Sequence, residues 1–155
     1  MAGTVLVVED LAASRAFAAR LAALLRPGDL VCLEGDLGAG KSELARAVIR
    51  ARAGAPIEVP SPTFTLVQHY DLPDLKLAHA DLYRVSDPGE VEELGLDEVL
   101  REGALLVEWA ERAGAALPAD RLVLRLEAPD PDRPERRLLT VEPPSGDDRF
   151  AALLP

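Results

Sequence analysis

The chain is short of several residue types, and each shortage narrows what it can be. It contains no asparagine, one cysteine, two lysines and only 4% aromatic residues in 155 positions. The single Cys32 cannot form a disulfide within the chain, and its place in an apolar run predicts a small buried side chain. Because aromatic residues are so few, the core must be built mainly from Leu, Val and Ala.

Long hydrophobic runs and positive charge are also scarce. No apolar stretch approaches the roughly 18 residues of a membrane span, and the N-terminus lacks the basic and then apolar pattern of a signal peptide. We therefore predict a cytoplasmic protein without membrane contact. The formal net charge of −10 repels a nucleic acid backbone, so it favours a basic protein partner over tight, direct binding of tRNA or DNA.

A glycine-rich segment is the strongest chemical signal in the sequence. It lies between the apolar run Leu30–Glu34, which predicts a buried strand, and a helical pattern that continues to about Ala53. It fits the phosphate-binding loop pattern, in which backbone amides surround phosphate oxygens. In that pattern Lys41 supplies positive charge to the outer phosphates and Ser42 a hydroxyl for Mg²⁺. The segment consists of Gly35, Asp36, Leu37, Gly38, Ala39, Gly40, Lys41 and Ser42.

The order of predicted elements indicates an α/β protein with the three-layer P-loop NTPase fold. We predict a mainly parallel central sheet with antiparallel additions and helices on both faces. An antiparallel pair is expected on either side of the connection 71–74, and further strands are expected near residues 121–127 and 137–142. Residues 1–155 are predicted to form one domain, in which residues 143–155 are a loose tail.

A phosphate-binding loop needs a nearby carboxylate to hold magnesium or orient water. Two acids at the ends of predicted strands are candidates. Asp81 follows the run 75–80, and Glu108 ends the run 104–108. The alternative for each is an ordinary acid that faces solvent at a strand end. Thr63, in a loop stiffened by prolines, stands where a switch threonine contacts magnesium or the γ-phosphate, unless that loop is merely extended. Trp109 is predicted either to stack on a base or to pack in the core.

The remaining polar residues give weaker signals. His69 and His79 lie on predicted strands without metal-ligand spacing, so structural roles are expected, although His79 is only two residues before Asp81. Arg84 is the arginine most suited to a phosphate contact. No Ser/His/Asp or Cys/His constellation of a nucleophilic enzyme is evident.

Three functions other than ATP hydrolysis compete at this point. The absence of asparagine excludes the usual Asn-Lys-x-Asp element that reads guanine, and hence a typical GTPase. A small-molecule kinase is disfavoured because no arginine-rich lid insertion is visible. A regulatory module that senses nucleotide without hydrolysing it stays open, although two strand-end acids and a switch-like threonine favour hydrolysis.

Four motifs together resemble the TsaE family, also called YjeE. They are the loop 35–42, Ser61-Pro62-Thr63-Phe64, the segment His79–Arg84 and Glu108-Trp109, and the resemblance runs from about residue 10 to 127. It implies a small P-loop ATPase required for making threonylcarbamoyladenosine, the modified base beside the tRNA anticodon. It also implies that the chain binds a TsaD–TsaB heterodimer, resets that complex between turnovers by ATP hydrolysis, and meets tRNA only through it. We expect a monomer when free.

The resemblance also implies roles for individual residues. Ser42 and Glu108 would hold Mg²⁺, while Lys41, Thr63, Asp81 and Glu108 would form the catalytic set, with the division between the two acids left open. The loop Gly35–Ser42 would bind the ATP or ADP phosphates, and Trp109 would lie by the adenine. One departure is Glu43, which follows the loop where the family usually has a small polar residue. A carboxylate there weakens nucleotide binding unless it points outward.

Overall fold

In the computed structural model, which describes residues 3–155, one β-sheet lies between helices on both of its faces. Its strands are β1 Thr4–Val8, β2 Leu30–Glu34, β3 Val67–Asp71, β4 Lys76–Asp81, β5 Ala104–Glu108, β6 Leu122–Glu127 and β7 Arg137–Glu142. The helices are α1 Leu11–Leu24, α2 Lys41–Ala53, α3 Pro88–Glu92 and α4 Leu96–Glu102, with short 3₁₀ segments at Ala110–Ala116 and Arg149–Leu153.

The sheet order is β1-β7-β6-β2-β5-β4-β3. The four central strands β6, β2, β5 and β4 are parallel, whereas β7, β1 and β3 pair antiparallel to their neighbours. The predicted α/β fold, with a mainly parallel sheet and antiparallel additions, is therefore confirmed. The additions lie at the two edges, so the parallel strands β2, β5 and β4 bring their carboxyl ends to one edge of the sheet, as ligand sites in such folds require.

Local sequence explains where the helices begin and end. Asp10 caps α1, because its carboxylate accepts the amide of Ala13 at 2.8 Å. Asp87 caps α3 in the same way, with a 2.9 Å bond from the amide of Gly89. α2 ends at Gly54, whose φ of 69° lets its amide bond back to the carbonyl of Arg50 at 3.0 Å. The end of α2 at Ala53 agrees with the extent predicted from the sequence.

Two apolar layers form the core. α1 and α2 cover one face of the sheet with Phe17, Leu21 and Ile49, and α3 and α4 cover the other with Val91 and Leu96. Cys32 belongs to the second layer and is fully buried, as predicted, and burial raises the pKa of its thiol to about 11. No helix within residues 3–155 has both the length and the apolar character of a membrane span.

The C-terminal segment is packed, so the prediction of a loose tail at 143–155 is wrong. Phe150 and Leu153 are buried against the layer that contains α1. Arg149 donates to both carboxylate oxygens of Asp29, at 2.7 and 2.9 Å, and to the carbonyl of Leu24 at 2.7 Å. This bidentate pair and the two buried side chains attach the end of the chain to the turn that precedes β2.

Candidate functional site

The glycine-rich loop joins the end of β2 to the first residue of α2. Gly35 has φ of 144° and Gly40 has φ of 103°, and both values lie in the region that favours glycine. A Cβ at Gly35 would stand 2.5 Å from the carbonyl oxygen of Leu126, so the backbone of β6 leaves no space for a side chain there. The loop residues Leu37 and Asp36 are exposed, whereas Ala39 is buried beneath them.

Lys41, the first residue of α2, is buried although it is charged. Its ammonium donates to the carbonyl of Gly35, and it lies 3.8 Å from the centre of the Trp109 ring. Burial lowers the pKa of Lys41, and nearby acids, Glu108 foremost among them, partly oppose that shift. The ammonium is thus held at the loop by a carbonyl and an aromatic face, both of which are weaker partners than a phosphate.

Ser42 and Glu108 face each other across the gap between α2 and β5. The Ser42 hydroxyl lies 2.9 Å from Oε1 and 3.0 Å from Oε2 of Glu108. The same Oε2 lies 2.7 Å from Nε2 of His79, which is buried on β4. Glu108 is itself only 2% exposed, so these two donors offset much of the cost of burying its carboxylate.

Asp81 lies beside Glu108 because β4 and β5 are parallel and pair these two residues. Its Oδ2 accepts the hydroxyl of Thr63 at 3.3 Å, and its Oδ1 accepts the amide of Tyr83 at 3.0 Å. Thr63 also contacts the hydroxyl of Ser61 at 2.7 Å. The proline-flanked loop is therefore connected to the strand-end acid by its threonine, which is the contact that a switch needs.

One cavity of about 480 Å³ brings together the residues proposed from sequence. Its lining includes Lys41, Ser42, Thr63, Asp81, Glu108 and Trp109. Arginine side chains complete the lining in a chain that is acidic overall, which favours a phosphate ligand over a cation alone. They are Arg46, Arg84 and Arg137.

Glu43, the residue that departs from the family pattern, points outward. Its side chain is 73% exposed and lies 3.7 Å from Arg46, one turn further along α2. Solvent and this neighbouring guanidinium screen its charge, so we expect Glu43 to have little effect on a bound phosphate.

Sequence reasoning left Arg137 and His79 out of the site. Arg137, the first residue of β7, donates from Nε to the carbonyl of Ala39 at 2.6 Å and lies against Gly40. Its place follows from the antiparallel pairing of β7 with β6, which local sequence does not reveal. His79 is different, since the two-residue period of a strand puts it on the same face as Asp81. The alternation of side chains along a strand could therefore have predicted that His79 lies beside Asp81.

A second cavity of about 420 Å³ opens next to the phosphate loop, between α1, α2 and β7. It shares Gly40, Glu43, Arg46 and Arg137 with the first cavity. Its other walls are largely apolar and include Val8, Leu11, Phe17, Leu44, Ala47, Leu126 and Leu139. The two cavities thus form one continuous surface, polar at the loop and apolar beyond it.

The donor set of the first cavity fits magnesium. No group of three or more His, Cys, Asp or Glu side chains within residues 3–155 forms an all-protein metal cage. Mg²⁺ rarely uses such a cage, because it keeps several waters and takes one or two protein oxygens plus the phosphates of its substrate. The Ser42 hydroxyl and the Glu108 carboxylate, already within 3.0 Å of each other, are oxygen donors of that kind.

Comparisons with known proteins agree on one family. The family model described as threonylcarbamoyl adenosine biosynthesis protein TsaE matches residues 8–138. A TsaE protein from Rickettsia bellii is 40% identical over 117 residues, which cover 76% of this chain and 81% of that protein. The TsaE protein of Bacillus subtilis is 41% identical over 123 residues, or 79% of this chain and 76% of that protein. The crystal structure of Bacillus subtilis YdiB superposes with a TM-score of 0.75 at 30% identity, covering 99% of this chain and 93% of that one.

Proposed function

Because the chain belongs to the TsaE family of tRNA threonylcarbamoyladenosine biosynthesis proteins, we propose that it binds ATP with Mg²⁺ and hydrolyses it to support repeated turnover of a TsaD–TsaB complex. The observation that carries this proposal is the convergence of Lys41, Ser42, Thr63, Asp81 and Glu108 in one cavity. The role predicts a cytoplasmic protein that is monomeric when free and that meets tRNA through its partner.

Each residue of the cavity has a separate role in this proposal. Lys41 leaves the Gly35 carbonyl to contact the outer phosphates, and the loop amides and the N-terminus of α2 bind the remaining phosphate oxygens. Ser42 and Glu108 would hold Mg²⁺, which would neutralise phosphate charge there. Asp81 orients the attacking water, and Thr63 reports through Asp81 whether the outer phosphate is present.

We place the nucleobase in the apolar cavity between α1 and α2 rather than on Trp109. Lys41 marks the outer-phosphate end of the loop, and the Trp109 ring lies 3.8 Å from its ammonium. A base at the opposite end of the triphosphate lies beyond Gly40 and Glu43, where the second cavity begins. Apolar walls with a few polar groups are typical of such a subsite. The adenine stacking predicted for Trp109 is the alternative to this placement.

Filling that cavity is expected to separate base binding from phosphate binding. Ala47→Phe, on the cavity wall, should weaken ATP binding by about tenfold or more while inorganic triphosphate binds as before. Calorimetric titration of both ligands measures the two affinities, and Ala16→Phe, on the exposed side of α1, is the matched control. Equal losses for ATP and triphosphate, or a loss of ATP binding alone in Trp109→Ala, would return the base to Trp109.

Hydrolysis by the free chain is expected to be slow. The arginines that line the cavity already contact other groups of the chain. Arg137 donates to the carbonyl of Ala39, Arg46 lies 3.7 Å from Glu43, and Arg84 lies 4.5 Å from the centre of the Phe64 ring. A partner that rearranges these contacts would raise turnover.

The test is phosphate release from ATP with and without TsaD–TsaB. We expect a weak rate alone and a rise of about a hundredfold or more with the complex, the size that one preorganised electrostatic group provides. Fast and equal rates in both conditions would contradict partner stimulation. Stable ATP binding with no release in either condition would favour the nucleotide-sensing module, and transfer to a small acceptor would favour a kinase.

A further inference from the structure

A buried histidine lies directly behind the proposed magnesium ligand. His79 is 2% exposed, and its Nε2 lies 2.7 Å from Oε2 of Glu108. We propose that His79 is a positioning residue, which fixes the Glu108 carboxylate in the orientation that faces Ser42 and a bound Mg²⁺. The inference rests on the proposed function, but it concerns a residue to which neither the family resemblance nor the comparisons give a role.

The sheet register brings the two side chains together. β4 and β5 are parallel and pair His79 with Leu106 and Asp81 with Glu108. Side chains two apart on a strand share a face, so His79 and Asp81 project toward α2 together with Glu108. His79 therefore approaches Glu108 from within the sheet, and Ser42 approaches it from the start of α2. The carboxylate lies between the two donors, and only the Ser42 side opens on the cavity.

The proposed metal role sets the direction of the hydrogen bond between His79 and Glu108. A carboxylate that holds Mg²⁺ is ionised and only accepts hydrogen bonds, so in this role Nε2 of His79 is the donor. The Ser42 hydroxyl has a single hydrogen to share between two carboxylate oxygens, and its oxygen is needed by the metal. The hydrogen bond between His79 and Glu108, by contrast, does not involve the Ser42 oxygen that the metal needs. We expect this bond to be kept when Mg²⁺ binds, as a fixed support requires.

A role in packing alone does not explain why residue 79 is a histidine. Nδ1 of His79 is buried without a hydrogen-bond partner among residues 3–155, so its polar surroundings are limited to the Glu108 contact. A leucine of similar size would fill this space without burying an unpaired nitrogen. The unpaired Nδ1 is a cost of having an imidazole here, and the bond from Nε2 to the Glu108 carboxylate is the polar contact that offsets this cost.

The test measures how much Mg²⁺ strengthens the binding of a non-hydrolysable ATP analogue, by calorimetry with Mg²⁺ and with EDTA. This gain is a coupling between metal and nucleotide, and it does not depend on turnover. His79→Leu is expected to reduce the gain by about tenfold or more while binding in EDTA is retained. His79→Gln, whose amide can donate from near the Nε2 position, should preserve most of it. His69→Leu, on exposed β3, is the control and should match the unmodified chain.

Two further measurements keep the result decisive. If His79→Leu does not fold, His79→Asn keeps a polar side chain too short to reach Glu108, and it should lose the gain as well.

Nitrogen NMR of the two imidazoles should report a proton on Nε2 of His79, with His69→Leu assigning the signals. The inference is overturned by an Nδ1-protonated neutral ring, by a full Mg²⁺ gain in His79→Leu, or by equal losses in His79→Leu and His79→Gln. Absence of any Mg²⁺ gain in the unmodified chain would instead contradict the proposed function.

Discussion

Lys41→Ala is expected to weaken ATP binding by about a hundredfold to ten-thousandfold. The ammonium should make two charge-assisted hydrogen bonds to the outer phosphates, and such bonds contribute about 1.5–3 kcal/mol each. No other lysine can replace it, because the only other one, Lys76, lies at the far end of β4 and pairs with Glu102 at 3.4 Å. Calorimetric titration with ATP in the presence of Mg²⁺ measures the loss.

The fold should survive this substitution. Burial lowers the pKa of Lys41, so the folded state gains little from holding that charge and loses little when alanine replaces it. A thermal unfolding midpoint close to that of the unmodified chain would separate lost binding from lost structure. Lys76→Ala is the matched control, because it removes the same side chain from an exposed surface pair. ATP binding by Lys41→Ala within about threefold of the unmodified affinity would contradict the assignment of the loop.

The central elements of the fold were predictable because their signals are local. β2 and β5 are continuous apolar runs, and the glycine loop between β2 and α2 has a fixed residue pattern. Asp81 and Glu108 were each expected at the end of a strand. The structure pairs them across β4 and β5, and it adds the contacts of Ser42 with Glu108 and of Thr63 with Asp81.

The errors arise where distant parts of the chain meet. Arg149 contacts Asp29 across 120 residues, and a Pro- and Asp-rich segment with one short 3₁₀ turn gives no periodicity from which to predict such packing. Arg137 reaches Ala39 across 98 residues, because β7 inserts between β1 and β6. Which distant segments come together depends on the packing of the whole core, so a local stretch of sequence does not predict it.

For Trp109, the sequence identified the residue but could not predict where its side chain points. Its backbone has φ of 59°, an uncommon value for a residue other than glycine. This conformation begins the 3₁₀ segment and turns the indole toward Lys41 and Tyr83, whose ring centre lies 4.9 Å away. An extended continuation of β5 would have sent the side chain elsewhere. The contact between Trp109 and adenine stays a prediction, which the titration of Trp109→Ala tests.

Glu108→Gln is expected to leave ATP binding in EDTA nearly unchanged, to reduce the gain from Mg²⁺ at least as much as His79→Leu does, and to lower partner-stimulated hydrolysis by about a hundredfold to a thousandfold. Glutamine keeps the volume of the side chain and one carbonyl oxygen for Ser42 or His79, so the buried space stays filled. It removes the negative charge that should hold Mg²⁺ against the outer phosphates. Loss of one preorganised electrostatic group of this kind costs hydrolysis about that factor.

The matched control is Glu111→Gln. Glu111 lies just beyond the same strand, is exposed, and acts on the charge of Lys41 as Glu108 does, but it contacts neither Ser42 nor His79. Both substitutions change the net charge equally, so a difference in phosphate release in the presence of TsaD–TsaB isolates the contribution of the buried carboxylate. Similar rates in the two variants would mean that Glu108 only supports the fold. The catalytic acid would then be Asp81, whose bond to Thr63 already connects it to the proline-flanked loop.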